Sequence, residues 1–222
     1  MIPKNVSPLQ KGQLVTKRRT ARRWTKILIA VAIIVVVVLA SYAGRVQYTK
    51  TTGIILTPSQ DFESKEIQYF LQNDPDWASD RIGDSASPLG GAGCLIACVA
   101  SAICDLGVET TPKEVNAKLT GVDGFQGSEL IWYKINEAYD GVDYKYSRVF
   151  SRATIERDLK AGLLPIVNVK MHGNGITHWL LIIGAKDGEF LVFDPLNREK
   201  QPIALSTHGR VYAYRVLIPS GE

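Results

Sequence analysis

Residues 27–44, ILIAVAIIVVVVLASYAG, run for eighteen positions without a charge or a proline, and no other feature constrains the chain as strongly. At a rise of about 1.5 Å per residue such a run makes a helix roughly 27 Å long, close to the ~30 Å hydrocarbon thickness of a bilayer. Trp24 and Tyr42 stand near its ends, where amphipathic rings favour the membrane interface. A single transmembrane helix over 27–44 is therefore expected. Lys4, Lys11, Lys17, Arg18, Arg19, Arg22, Arg23 and Lys26 precede it with no acid among them, whereas only Arg45 and Lys50 follow closely. This asymmetry places the 1–26 tail in the cytoplasm and the rest of the chain outside it. The alternatives are a signal peptide cleaved near Ala43, where Ser41-Tyr42-Ala43 has small-x-small character, and a buried helix of a soluble chain. The run exceeds the 7–15 residues usual for such signals.

The tail also accounts for the net charge of +4. Of 26 basic residues eight lie in 1–26, which leaves 18 against all 22 acids, a difference of −4. A nucleic-acid partner for the folded part has no support. At 222 residues and 45% hydrophobic content, one sizeable core is expected besides the anchor. Residues 45–65 read as a stalk, with the domain proper over 66–222.

Within that domain, Gly90, Gly91 and Gly93 mark a tight loop before the apolar run CLIACVASAICDL, which Gly107 stops. A helix apolar nearly all round is a buried one. Thr111-Pro112-Lys113-Glu114 is a capping box with proline at the first helical position, predicting a helix to Leu119. Further helices are predicted over 129–139, capped by Ser128, and over 153–160. Residues 164–170, 177–185, 189–193 and 210–218 are rich in branched and aromatic side chains and read as strands, with Asp187-Gly188 as a hairpin turn. Helices first and antiparallel strands second make an α+β fold.

Cys94 falls where the glycine loop enters the helix. Unpaired N–H groups and the positive dipole end favour a thiolate there, and the thiolate is the nucleophile. Cys98 and Cys104 lie deeper in the same helix and read as buried core residues. Six residues span about 9 Å along a helix, too far for a Cys98–Cys104 disulfide. No CxxC pair or spaced Cys/His cluster suggests zinc, and no cofactor is expected. His178 opens the strand THWLLIIGA and Asp194 ends the strand EFLVFDP. A nucleophile on a helix tip, a base on one strand and an acid on the next is the set that acyl transfer needs. His172, in MHGNG, and His208, in STHGR, read as surface residues.

These segments, GAGCLIACVASAICDLGVETTPKEVNAKL and THWLLIIGAKDGEFLVFDPL, with YFLQNDPDWASDRIGD upstream, resemble the bacterial C39-like peptidases, a branch of the papain-like cysteine peptidases. The resemblance covers about residues 67–195. It implies a papain-like α+β fold with a buried catalytic helix on a mainly antiparallel sheet. It also implies Cys94, His178 and Asp194 as the catalytic set, a peptide or protein substrate, and Gln72 as an oxyanion donor beside the Cys94 N–H. Where many relatives carry Thr-Ser, this chain has Ala97-Cys98. Its outward-facing domain and the absence of an ATP-binding part speak against leader-peptide processing during export. Two other classes use the same elements: a catalytically silent binding module, and a cell-wall amidase or acyltransferase. Oligomeric state is not legible.

The hairpin joining base to acid carries its own requirement. A regular two-residue turn at Asp187-Gly188 would pair Lys186 with Glu189 and set Asp194 opposite Leu181. Side chains alternate with period two, so Asp194 would then face away from His178. A three-residue loop over 186–188, or a bulge, with Gly188 at positive φ, returns both to one face.

Overall fold

The computed structural model describes residues 8–221. Helix α1, Pro8–Thr52, contains the apolar run, and its Arg22–Thr52 portion is long and apolar enough to cross a membrane. Residues 1–7 of the basic tail lie outside the described residues. The chain divides into two compact units, Met1–Gln47 and Tyr48–Glu222.

The second unit mixes helices with an antiparallel sheet. Its elements are α2 (Leu89–Ala92), α3 (Cys94–Asp105), α4 (Pro112–Thr120), β1 (Phe125–Gln126), β2 (Glu129–Leu130), α5 (Ile135–Ala138), β3 (Val142–Tyr146), α6 (Arg152–Lys160), β4 (Pro165–Lys170), β5 (Thr177–Lys186), β6 (Glu189–Phe193), β7 (Ile203–Ala204) and β8 (Val211–Pro219). Six strands form one sheet in the order β3-β8-β4-β5-β6-β7, all pairs antiparallel. Sheet side chains alternate between two cores. Ile166, Leu181, Ile183 and Leu217 join α3 and α4 in one, and Val167, Leu180, Ile182, Val192 and Val216 fill the other.

Local chemistry explains where the helices begin. Thr111 accepts a hydrogen bond from the Glu114 N–H at 3.2 Å, with Pro112 at the first position of α4. Ser151 and Thr154 cap α6 reciprocally. The helix expected over 129–139 does not form. Gly127, at φ 62°, turns the chain into the β1–β2 hairpin, and only a 3-10 turn, Trp132–Lys134, and the single turn α5 follow. The hairpin ladder engages the groups that a helix start at Ser128 would have needed. Strand β3 has no counterpart in the sequence reading. The segment expected as a stalk is hydrogen-bonded to the sheet: Ile54 bridges Val211, Phe62 bridges Ala185, and the Lys65 N–H reaches the Ile183 carbonyl at 2.9 Å.

The β5–β6 hairpin combines two features expected as alternatives. The turn has two residues, Asp187 at φ 54° and Gly188 at φ 80°, and Lys186 pairs with Glu189. The three-residue loop is thus corrected to a two-residue one, whose positive φ values match the twist of the flanking strands. A bulge between Ile182 and Gly184 then shifts the register, so that Leu181 pairs with Phe193. One extra residue on β5 turns Asp194 to the side of His178.

Candidate active site

The Cys94 end of α3 is built by close approach. Leu89–Ala92 forms a single turn, and Gly93 follows so tightly that a Cβ there would lie 2.5 Å from the Leu89 carbonyl oxygen. At Gly90 a Cβ would lie 2.9 Å from that of Ala78. Only glycine allows these contacts, and they hold Cys94, which is buried, at the first position of α3.

His178, 2% exposed, opens β5. Its Nε2 lies 2.7 Å from Asp194 Oδ1, which leaves Nδ1 as the ring nitrogen free for Cys94, whose side chain lines the same cleft. Burial pulls the imidazole pKa down. The hydrogen bonds and charges of Asp194 and Cys94 outweigh that and raise it to about 9. Burial likewise opposes the ionised Asp194. Its bond to His178, the neighbouring His208 and the Leu196 N–H nevertheless hold its pKa well below the usual carboxylate range. The Leu196 N–H donates to Oδ1 at 2.8 Å, closing a turn that fixes the carboxylate. Asn168 Nδ2 donates to the His178 carbonyl at 3.3 Å and ties β4 to β5 beside that ring.

Gln72 reaches the same place from the Asp-Pro-x-Trp-Ala segment. Its backbone N–H donates to the Pro195 carbonyl at 3.0 Å, which binds it to the loop after Asp194. Its Nε2 donates one hydrogen to the Gly90 carbonyl at 3.0 Å, and Oε1 is buried without a hydrogen-bond partner. Gln72, Cys94 and His178 line one cleft of ≈ 680 Å³, together with Leu95, Trp132, Trp179 and Arg215.

The other two thiols sit differently. All three cysteines are free. Cys98 is fully buried, its Sγ donating to the Trp179 carbonyl at 3.5 Å. Burial pushes its pKa far up, reinforced by Cys94 and Asp194. Burial likewise raises that of Cys104, whose Sγ donates to the Thr110 carbonyl at 3.3 Å. Among the described residues no group of three or more His, Cys, Asp or Glu converges as a metal-ligand set.

His208 corrects the sequence reading. Expected at the surface, it is 1% exposed, and its Nε2 lies 3.5 Å from Asp194 Oδ2 without an aligned hydrogen bond. Its Nδ1 accepts the His172 N–H at 3.3 Å, so the proton of the neutral ring sits on Nε2, facing the carboxylate. The His172 ring, itself exposed, stacks on it with centroids 5.6 Å apart. Asp194 therefore meets two buried histidines, one at each carboxylate oxygen, whose rings lie 5.9 Å apart.

No family model and no curated sequence matches the chain. Among solved structures, it is similar to a protein from Bacillus anthracis described as a C39-like peptidase. The TM-score is 0.51 at 9% identity, over 74% of this chain and 100% of the other. The likeness is one of fold.

Proposed function

We propose that this chain is a membrane-anchored thiol peptidase of papain-like architecture, with Cys94 as nucleophile, His178 as base and Asp194 as the group orienting it. The observation carrying this reading is the placement of one buried imidazole between a cysteine at a helix start and a carboxylate at 2.7 Å. Cys94 passes its proton to His178 Nδ1, and the sulfur attacks the carbonyl carbon of the scissile amide. The developing oxyanion is met by the Cys94 N–H, which lies in the helix turn without intrahelical partners, and by the second hydrogen of Gln72 Nε2. His178 then protonates the leaving amine, and water, deprotonated by the same ring, hydrolyses the thioester. Asp194 keeps Nε2 occupied, so that Nδ1 is the nitrogen that exchanges protons with sulfur.

The anchor is α1, and the basic residues before the apolar run set the catalytic unit outside the cytoplasm. The test is alkylation of the full-length chain by iodoacetamide near neutral pH, mapped by mass spectrometry. Cys94 reacts first, because burial keeps Cys98 and Cys104 as thiols. Preferential modification of either of those two would overturn the assignment.

A further inference from the structure

Arg215 lines the same cleft as Cys94 and His178, as does Glu129, and among the described residues it pairs with no acid. None of the ion pairs among the described residues involves it, although it is half-buried on β8, an inner strand. Its guanidinium carbon lies 5.0 Å from the Tyr146 ring centroid and 5.4 Å from that of Trp132. Nη1 donates to the Tyr214 carbonyl at 2.7 Å. Two aromatic faces and one carbonyl hold the fork in place, while no other described group is hydrogen-bonded to it. A guanidinium withdrawn from water without an anion is unfavourable, and a planar fork with free N–H groups matches a carboxylate.

Trp132 extends this support towards the base. Its ring is 6.0 Å from that of Trp179, the residue after His178, and both line the cleft. The register gives the separation. Val169 pairs with His178, and Ile166, three residues back on β4, pairs with Arg215. Two strand spacings across and three residues along put the two Cα atoms about 14 Å apart, and although the odd offset starts the side chains from opposite faces of the sheet, both reach the one cleft.

We infer that Arg215 is the carboxylate-reading group of the cleft, so that the substrate is a peptide carrying an acidic side chain or a free C-terminus near the bond attacked by Cys94. The inference rests on the peptidase reading for the word substrate, and on the geometry of Arg215 for the carboxylate.

The experiment uses the full-length chain in detergent and sets of fluorogenic peptides. Members differ only as Glu or Gln at successive positions, or as free or amidated C-terminus, which separates the two sources of the carboxylate. The acidic member of one set is cleaved with a kcat/KM at least tenfold higher. In Arg215→Gln that ratio falls towards one, and Arg215→Lys retains part of it. Binding of the same peptides to Cys94→Ala, followed by fluorescence anisotropy, shows the same preference without turnover. Equal cleavage or equal binding of the acid and amide members by the unaltered chain overturns the inference, whether or not Arg215→Gln folds. So does a preference that survives intact in Arg215→Gln. Absence of Cys94-dependent cleavage alongside selective binding of acidic peptides would remove the peptidase reading and leave the Arg215 assignment standing.

Discussion

The Nε2 of His208 lies 3.5 Å from Asp194 Oδ2, while His178 Nε2 holds Oδ1 at 2.7 Å, the two rings being 5.9 Å apart. A carboxylate held in this way is stabilised as the anion by both rings, and on the proposed mechanism the second would be a positioning residue acting through Asp194. Replacing His208 by Phe keeps a ring and removes the N–H. The expected result is a kcat lower by about fivefold at unchanged KM, the size of a polar contribution of ~1 kcal/mol. The acid limb of activity should also move to higher pH, because Asp194 loses a group that lowers its pKa. His208→Gln, which restores an N–H donor, should recover part of both. Kinetics across pH check this, and an unaltered profile in His208→Phe would show the ring to be packing alone.

Stability should depend on pH through the His178–Asp194 pair, counted once for both partners. The His178 pKa is raised to about 9 in the folded chain, against ~6.5 unfolded. Its contribution is complete below about pH 6.5 and is lost as pH rises through about 9. Asp194 is shifted the other way, so its contribution is present above the ordinary carboxylate range and is lost on acidification. Tm should therefore decline between pH 6.5 and 9, and Asp194→Asn should flatten that decline. The same substitution should bring the His178 titration, followed by NMR, below about 9, because burial then meets less opposition. A Tm profile identical in the two proteins would contradict the pairing.

How much of this was legible in the sequence depended on whether the signal was local. Cys94 after a glycine loop, the Thr111-Pro112 helix start and the four apolar strands are local patterns, and each forms close to the expected boundaries. Gln72 carried no signal of its own and emerged only through a resemblance. His208 was missed because its burial depends on the 205–209 segment packing beside Asp194 and His172, a tertiary event that a polar Ser-Thr-His-Gly string does not announce. The 129–139 segment had helical composition, but Gly127 and the β1–β2 pairing overrode that propensity. Alternation alone showed that a register shift was needed between His178 and Asp194. It did not show that the shift would sit at Ile182–Gly184 rather than in the turn.

That bulge leads to a mutational test away from Cys94, His178 and Asp194. A Cβ on Gly184 would lie 2.7 Å from Ser64 Cα and 3.0 Å from the Phe62 carbonyl oxygen, so Gly184→Ala forces two backbones apart. A cost of about 1–3 kcal/mol is expected, seen as a lower denaturant midpoint. Turnover measured well below the transition should also drop, since the bulge sets the face on which Asp194 stands. Wild-type stability in Gly184→Ala would mean that the strand can give way at no cost.

The orientation proposed for α1 rests on eight basic residues before the apolar run against two just after it. A membrane-impermeant amine reagent applied to intact cells should modify Lys50 and lysines beyond it while sparing Lys4 to Lys26. Labelling confined to the N-terminal lysines would reverse the topology.

The central claim, that Cys94, His178 and Asp194 together cleave amide bonds, is tested most directly by peptide hydrolysis with the full-length chain and its Cys94→Ala and His178→Ala variants. Cleavage by the unaltered chain, lost in both variants and reduced by about 10²–10⁴ in Asp194→Asn, is the predicted result. Hydrolysis that persists undiminished in Cys94→Ala would contradict it, as would a complete absence of cleavage across a diverse peptide set by a chain that is folded and retains a free Cys94 thiol.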